Sequence, residues 1–296
     1  MEKGPKPEVS IVIVSYNSLP HLRACIESIP GGAGSLPYEV IIVDNASSDG
    51  TPDMVRKEAP SVKLIANTEN LGFAKGCNIG IKAARGRYIL LLNPDTVVGS
   101  NALERTYEYL EANPDLAAAG CKLLRPDGSL DPSCKRELPS PWDAFCRMVG
   151  LSNLFPNSRI FARYDAAYLD VDKRQRLPLI DGCYMMMRSE ALEDIGLFDE
   201  RFFIYGEDVD WCRRAHSGGW FIGYDPTGTV VHMKGETTRH YTFRMLYHFH
   251  RSMTLYYWKH SRRWDPVQLI VYPGIALRLV ALVVWNLFRR ERRVSG

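Results

Sequence analysis

Val9-Ser-Ile-Val-Ile-Val-Ser-Tyr-Asn17 is a run of branched apolar side chains that stops abruptly on polar residues. So short and continuous an apolar stretch predicts a strand over 9–14 buried on both faces, the kind that parallel sheets carry inside. Working outward, a helical pattern follows at Leu19–Ile29, then a strand at Val40–Val43 and a short helix at Thr51–Glu58. A third strand is expected at Val62–Ala66, a helix at Ala74–Ala84, a fourth strand at Tyr88–Leu92, and a helix at Asn101–Ala112 closed by Asn113-Pro114. Strands alternating with helices over short connections predict an α/β fold, a mostly parallel sheet flanked by helices. Ligands in such sheets sit beyond the carboxyl ends of the strands. Here those ends read Tyr16-Asn17, Asp44-Asn45, Asn67 and Asn93-Pro94-Asp95, polar residues where the rule puts a site.

Beyond this half the pattern weakens. Residues 125–180, rich in Pro, Arg and Asp, read as a long, partly ordered excursion, a lid or acceptor-binding segment. Order returns with a strand at Cys183–Arg188, helices at Ser189–Ile195 and Glu207–His216, and a late strand at Thr229–His232. An aromatic, basic helix is expected at about 242–259, followed by the apolar stretch Pro266–Phe288. This divides the chain into a body over 1–240 and a helical tail over 241–296.

Composition bounds the rest. With 296 residues, 46% hydrophobic and 24% charged, the chain has enough apolar material for a large core and reads as globular. Its seven cysteines form no CxxC pair and no zinc-spaced cluster, and their odd number fits a reducing cytoplasm. The net charge of +3 is unevenly spread: ten Lys/Arg oppose Asp265 and Glu291 after residue 240, so the tail carries +8 and the body −5. The tail therefore suits an anionic surface and the body does not. Pro266–Phe288 is long enough to cross a bilayer, but Arg278 at its centre is costly in hydrocarbon. Arg262-Arg263 before it and Arg289-Arg290-Glu-Arg292-Arg293 after it suit a helix lying along an anionic leaflet. A core helix is the plainer alternative.

Four groups of residues carry candidate chemistry. Asp44-Asn45-Ala-Ser-Ser-Asp-Gly-Thr51 follows a buried strand; Ser47–Thr51 reads more readily as a turn with a helix cap, Asp44 as a ligand contact. Asn70-Leu-Gly72-Phe73-Ala-Lys-Gly76-Cys-Asn78 begins a helix, where glycines admit close backbone approach and free N–H groups suit phosphate, although packing alone also uses such glycines. Asp95 at a strand end suits a divalent cation bridging a diphosphate, and His232 is positioned to complete the metal shell; a turn and a structural histidine are the competing readings. Tyr205-Gly-Glu207-Asp208-Val-Asp210-Trp211 packs three acids into a helix start, more than charge–dipole capping needs. Neighbouring carboxylates raise one another's pKa, which suits a general base.

In combination these motifs resemble glycosyltransferase family 2, whose domain is the Rossmann-like GT-A fold of nucleotide-diphospho-sugar transferases. The matching pieces appear in family order over residues 9–235: Val14-Ser15-Tyr16-Asn17, Val43–Thr51, Asn70–Asn78, Asn93-Pro-Asp95, Gly206–Trp211 and His232. The resemblance implies that Val14, Ser15, Tyr16, Asn17, Asp44 and Asn45 form the nucleoside pocket. It further implies that Asn70, Gly72, Phe73, Gly76, Asn78 and Asn93 line the nucleotide and diphosphate. Asp95 stands where the last acid of the family's DxD motif falls, with His232 as the late ligand to Mg²⁺ or Mn²⁺, and Asp208 matches the catalytic base. Gly182, Glu207, Asp210 and Trp211 are expected to orient the acceptor. Asn93 replaces the first acid of DxD, so one anionic metal ligand is missing. The Asn-Pro-Asp form and Phe203–Trp211 are similar to rhamnosyltransferases, implying an inverting transfer of L-rhamnose from dTDP-L-rhamnose onto a cell-envelope glycan or polyprenyl-diphosphate-linked sugar. Galactofuranose or another hexose from a UDP-sugar remains the alternative. Behind it stand a sugar-phosphate nucleotidyltransferase, which would need a Gly-rich, Arg-containing loop where Ser15-Tyr-Asn17 stands, and a silent sugar-nucleotide-binding protein. The expected partners are the nucleotide sugar, the acceptor and an anionic membrane on its cytoplasmic face, with no nucleic acid.

Overall fold

The computed structural model describes residues 6–233, 243–262 and 264–294, with side chains to residue 287. β1 (Val9–Ser15), α1 (Leu19–Ala33), β2 (Tyr38–Asp44), α2 (Thr51–Glu58), β3 (Lys63–Ala66), α3 (Phe73–Ala83) and β4 (Tyr88–Leu92) form the first half. β5 (Thr96–Val98), α4 (Ala102–Glu111) and β6 (Leu116–Leu124) follow, then α5 (Pro141–Met148), α6 (Leu151–Leu154) and β7 (Gln175–Leu177). β8 (Tyr184–Arg188), α7 (Ser189–Ile195), α8 (Glu207–Ser217), β9 (Phe221–His232), α9 (Phe243–His260) and α10 (Gln268–Val294) complete the chain.

The sheet runs β3-β2-β1-β4-β8-β6-β9-β5, with β7 on β9. The first four strands are parallel, as the apolar runs imply. β8 then runs antiparallel to both β4 and β6, and β9 pairs parallel with β6 but antiparallel with β5 and β7. The whole sheet is therefore mixed, with the parallel half first.

Close contact fixes α3 on this sheet. A Cβ at Gly80 would lie 2.3 Å from Val12 Cγ1, and one at Gly76 2.8 Å from Val14 Cγ1. These two glycines let the helix axis approach β1, whose seven residues are all buried. Their service here is packing, with the Cβ side of Gly76 turned to Val14 and Asn45.

The excursion over 125–180 is folded, with a polar framework in place of apolar periodicity. Buried Lys135 donates to the Ala166 and Leu169 carbonyls at 2.6 and 2.8 Å. Arg163 bridges Asp143 and Glu137, and Ser140 and Asp143 form a capping box on α5.

α9 docks on the body. Asp210, inside α8, meets Lys259 and His260 at 2.8 Å each, and Ser252 donates to the Ile204 carbonyl. α10 contacts α9 through Tyr272 against Tyr257, while the apolar stretch Gln268–Leu287 buries none of its length. That removes the core-helix reading. Arg278 lies over the Phe249 ring of α9. The boundary read at 240–241 and Arg263 lie outside the described residues, as do the side chains of Arg289, Arg290, Arg292 and Arg293. All seven cysteines are buried and unpaired by disulfide.

Gly80→Ala tests the α3 contact: its Cβ meets Val12 in a closed core. The loss is expected to be about 1–3 kcal/mol, reduced by the better helix propensity of Ala. Thermal melting should show a lower Tm, and an unchanged or raised Tm would contradict the close approach.

Candidate active site

The pairing of β5 with β9 builds the first half of the site. Their antiparallel register opposes Thr96 to His232, and the Asp95 carbonyl accepts the Met233 N–H at 2.8 Å. Asp95 Oδ1 thereby comes within 3.4 Å of His232 Nε2. Burial works against an ionised Asp95, but His232 outweighs it and lowers the carboxyl pKa. Burial likewise opposes an imidazolium, yet Cys183, Asp131 and Asp95 around the ring raise the His232 pKa above the ordinary range. On the far side of the ring Asp131 Oδ2 lies 3.7 Å from Nδ1, and its Oδ1 is fixed by the Ser133 N–H and hydroxyl. A carboxylate behind a histidine is the arrangement that orients imidazole ligands to metals.

Asp208 forms the second half, in the first turn of α8. Its Oδ1 accepts the Val209 N–H at 2.8 Å, and its Oδ2 accepts the Gly182 N–H at 3.3 Å and the Arg136 guanidinium at 3.2 Å. A Cβ at Gly182 would lie 3.4 Å from Asp208 Cβ, so that glycine keeps the carboxylate's flank open. Burial raises the Asp208 pKa, opposed by Arg136 and assisted by Asp181. Burial holds Glu207 well above the usual carboxylate range, and neighbouring Asp208 adds to it. The halves meet at residues 181–183, where Asn93 N–H donates to the Cys183 carbonyl and Cys183 N–H to Asp181.

Among the described residues seven buried polar side-chain atoms lack a hydrogen-bond partner, and three of them turn up here, Asn93 Oδ1, Arg136 Nε and Glu207 Oε2, while a fourth, His232 Nδ1, faces Asp131. Polar atoms left unsatisfied in one place mark a site shaped for something polar. No cluster of three His, Cys, Asp or Glu that suits a metal occurs among the described residues. The pair Asp95–His232 nonetheless fits a divalent ion. Two donors each about 2.1 Å from an octahedral ion lie about 3 Å apart, and hard cations commonly take a substrate's phosphates for their remaining positions.

Other expected site residues have internal duties. Asp44 accepts the Ser47 N–H and hydroxyl, while Asn45 donates to the Gly72 carbonyl and accepts from Asn67. Asp49 caps both α1 and α2, so Ser47–Thr51 is a turn with a cap. Ser15 is buried against Ser18, and Val14 is buried too, whereas Tyr16 is 46% exposed and Asn17 holds Ser47 and Ser48 at the surface. At the start of α3, Asn70 caps the Gly72 N–H, and Phe73 N–H is taken by the Phe203 carbonyl, leaving fewer free donors for phosphate than expected. A Cβ at Gly72 would strike that same carbonyl. Asn78 is buried and clamps Phe198 and Glu200, closed to a nucleotide. Trp211 is fully buried, donating to the Gly196 carbonyl beside Phe198, and Asp210 is spent on Arg214, Lys259 and His260. Neither Trp211 nor Asp210 reaches an acceptor; they fix α8. Arg136, Asp131 and Asp181 were not found from the sequence, because no local motif marks residues that meet the site across the fold.

The fold is that of GT-A glycosyltransferases. It resembles the mannosyltransferase PcManGT from Pyrobaculum calidifontis, solved with GDP-Man and Mn²⁺, at a TM-score of 0.57 and 19% identity over 99% of this chain and 81% of that one. It also resembles S. aureus TarS, solved with UDP, at 0.52 and 17% identity over 86% and 67%. The model of the family described as glycosyl transferase family 2 matches residues 10–196, and the chain belongs to that family. It is a glycosyltransferase enzyme. One relative, the N-acetylglucosaminyl-diphospho-decaprenol L-rhamnosyltransferase of Mycobacterium tuberculosis, is 29% identical over 96% of this chain and 95% of its own.

Glu207 gives a pH prediction. Its folded pKa is raised above the unfolded value near 4.5, so the stability it contributes is present below that value and lost as pH rises through the folded pKa. Glu207→Gln removes that dependence, which amounts to at most about 1.4 kcal/mol per pH unit. From pH 5 to 8 the variant's Tm should gain steadily on the wild type; parallel curves would contradict a protonated, buried Glu207.

Proposed function

We propose that this enzyme is an inverting, metal-dependent rhamnosyltransferase that moves L-rhamnose from dTDP-L-rhamnose onto a hydroxyl of a polyprenyl-diphosphate-linked sugar or cell-envelope glycan. The geometry that carries the transfer reading is the meeting of Asp208 with the Asp95–His232 pair across residues 181–183. The choice of sugar rests on the near full-length likeness to a rhamnosyltransferase. Another hexose from a UDP-sugar is the competing outcome, and a thermal-shift screen of nucleotide sugars with Mn²⁺ separates them.

In this mechanism Asp208 takes the proton of the acceptor hydroxyl as its oxygen attacks the anomeric carbon. The bond to the diphosphate breaks with its electron pair, and the configuration inverts. Two backbone N–H groups aim the carboxylate, whose side chain keeps 12% exposure, and burial strengthens it as a base. Asp95 and His232 would hold Mg²⁺ or Mn²⁺, which when bound would neutralise charge on the departing diphosphate. Exposed Tyr16 and Asn17 are assigned to the nucleoside, and Gly182 to the acceptor's approach.

The body over 1–240 is read as the catalytic domain. We assign α10 to the anionic cytoplasmic face of the membrane, its exposed Leu269, Ile270, Leu277 and Trp285 entering the boundary with lipid tails. Arg278 lies over the Phe249 ring of α9.

Asp208→Asn should fold, bind donor and lose transfer by about 10²–10⁴-fold; wild-type turnover would remove Asp208 from the mechanism. Chelation with EDTA should stop transfer and Mn²⁺ or Mg²⁺ restore it. His232→Ala should need more metal, and full activity in chelator would overturn the metal assignment. Metal demand should also rise as pH falls, because a proton competes for the imidazole.

A chain ending at Ser261 keeps docked α9 and loses α10. It should leave anionic vesicles, keep donor binding and lose most transfer to a lipid-linked acceptor. Vesicle binding unchanged by the truncation would contradict the assignment of α10.

A further inference from the structure

Arg136 enters the site from the excursion between β6 and α5, its backbone N–H donating to the Leu179 carbonyl at 3.2 Å. The guanidinium is shared. Nη1 donates to the Tyr164 hydroxyl at 3.2 Å, and Nη2 to Asp208 Oδ2 at 3.2 Å with Asp181 Oδ2 at 3.5 Å. One cation thus faces three acids, because Glu207 adjoins Asp208. Among the described residues two buried thiols also lie against this cluster: Cys212 on α8, pushed up to about 12 by burial, and Cys77 on α3, also raised by burial.

We propose that Arg136 is a positioning residue that keeps Asp208 ionised and its carboxylate fixed for the acceptor hydroxyl. This rests on Asp208 being the base. Adjacent buried carboxyls do not both ionise readily, and a neighbouring cation decides which one does. Arg136 touches Asp208 and Asp181, whereas Glu207 keeps one carboxyl oxygen buried without a partner. The selection therefore favours Asp208 ionised and Glu207 neutral. The pull of Arg136 opposes the rise that burial gives Asp208. Tyr164 ties the guanidinium to the excursion, so the segment most suited to reading the acceptor also sets the state of the base.

Two readouts test this, one of which needs no substrate. Without Arg136, Asp208 should hold a proton in the fold that the unfolded chain releases. Stability of Arg136→Gln should then fall more steeply than wild type between pH 5 and 8, and adding Asp208→Asn should cancel the extra slope. In transfer from dTDP-L-rhamnose to a GlcNAc-diphospho-lipid, the acid limb of kcat/KM should move to higher pH by about one unit or more in Arg136→Gln. It should return most of the way in Arg136→Lys. Tyr164→Phe should move it in the same direction by less, and carries the test if Arg136→Gln does not fold. An unchanged stability slope, or an unmoved limb in any folded variant lacking the cation or its tyrosine, overturns the inference. Transfer surviving Asp208→Asn would instead overturn the base assignment, with the slope result standing.

Discussion

The hydrogen bond from the Asn93 N–H to the Cys183 carbonyl, 2.9 Å long, closes the junction on which the site depends. It exists because β8 runs antiparallel to β4, with Leu92 paired to Tyr184, so the chain entering β8 crosses the carboxyl end of β4. Residues 181–183 are thereby wedged between the two functional halves. Gly182 gives its N–H to Asp208, and Asp181 meets Arg136. A wholly parallel sheet would bring helices to this edge and no such bridging segment. The mixed topology is what lets one short stretch set the separation of the acid pair on α8 from the Asp95–His232 pair.

Electrostatics then distributes protons over this frame. Burial pushes the Asp95, Asp208 and Glu207 carboxyls upward, but each has different company. Asp95 is lowered by His232, Asp208 is held down partly by Arg136, and Glu207 stays high. Pairs of acids whose environments push their pKa values apart are how one site keeps a base ionised beside a neutral neighbour. Asp210, two residues on, points to the other side of α8 and binds Lys259 and His260. Thus adjacent acids in one helical turn serve the cleft and the docking of α9 separately.

Much of this was legible in the sequence. The apolar runs of β1, β2 and β4 reveal themselves because buried parallel strands leave little room for polar residues, and the helices between the strands follow from their periodicity. β6 is hidden by Ala117-Ala-Ala119, a composition equally at home in a helix, and β5 by its three residues. The excursion escaped because buried ion pairs and carbonyl contacts hold it, and those pairings are between residues far apart in the chain. Asp208, Asp95 and His232 stand out as candidates because strand ends and helix starts are where chemistry gathers. Asn78, Gly76 and Trp211 have the right types at the right spacing, but their partners are inside the protein. Distinguishing a ligand contact from an internal clamp requires the third dimension, and so does finding Arg136 and Asp131.

The central claim is a single displacement at the anomeric carbon driven by one carboxylate, and its stereochemistry tests that most directly. The product formed from dTDP-L-rhamnose with Mn²⁺ and a GlcNAc-diphospho-lipid can be read by NMR from the coupling across its new anomeric carbon. This account predicts a linkage opposite in configuration to the donor from the earliest time point. A product that retains the donor's configuration would contradict it.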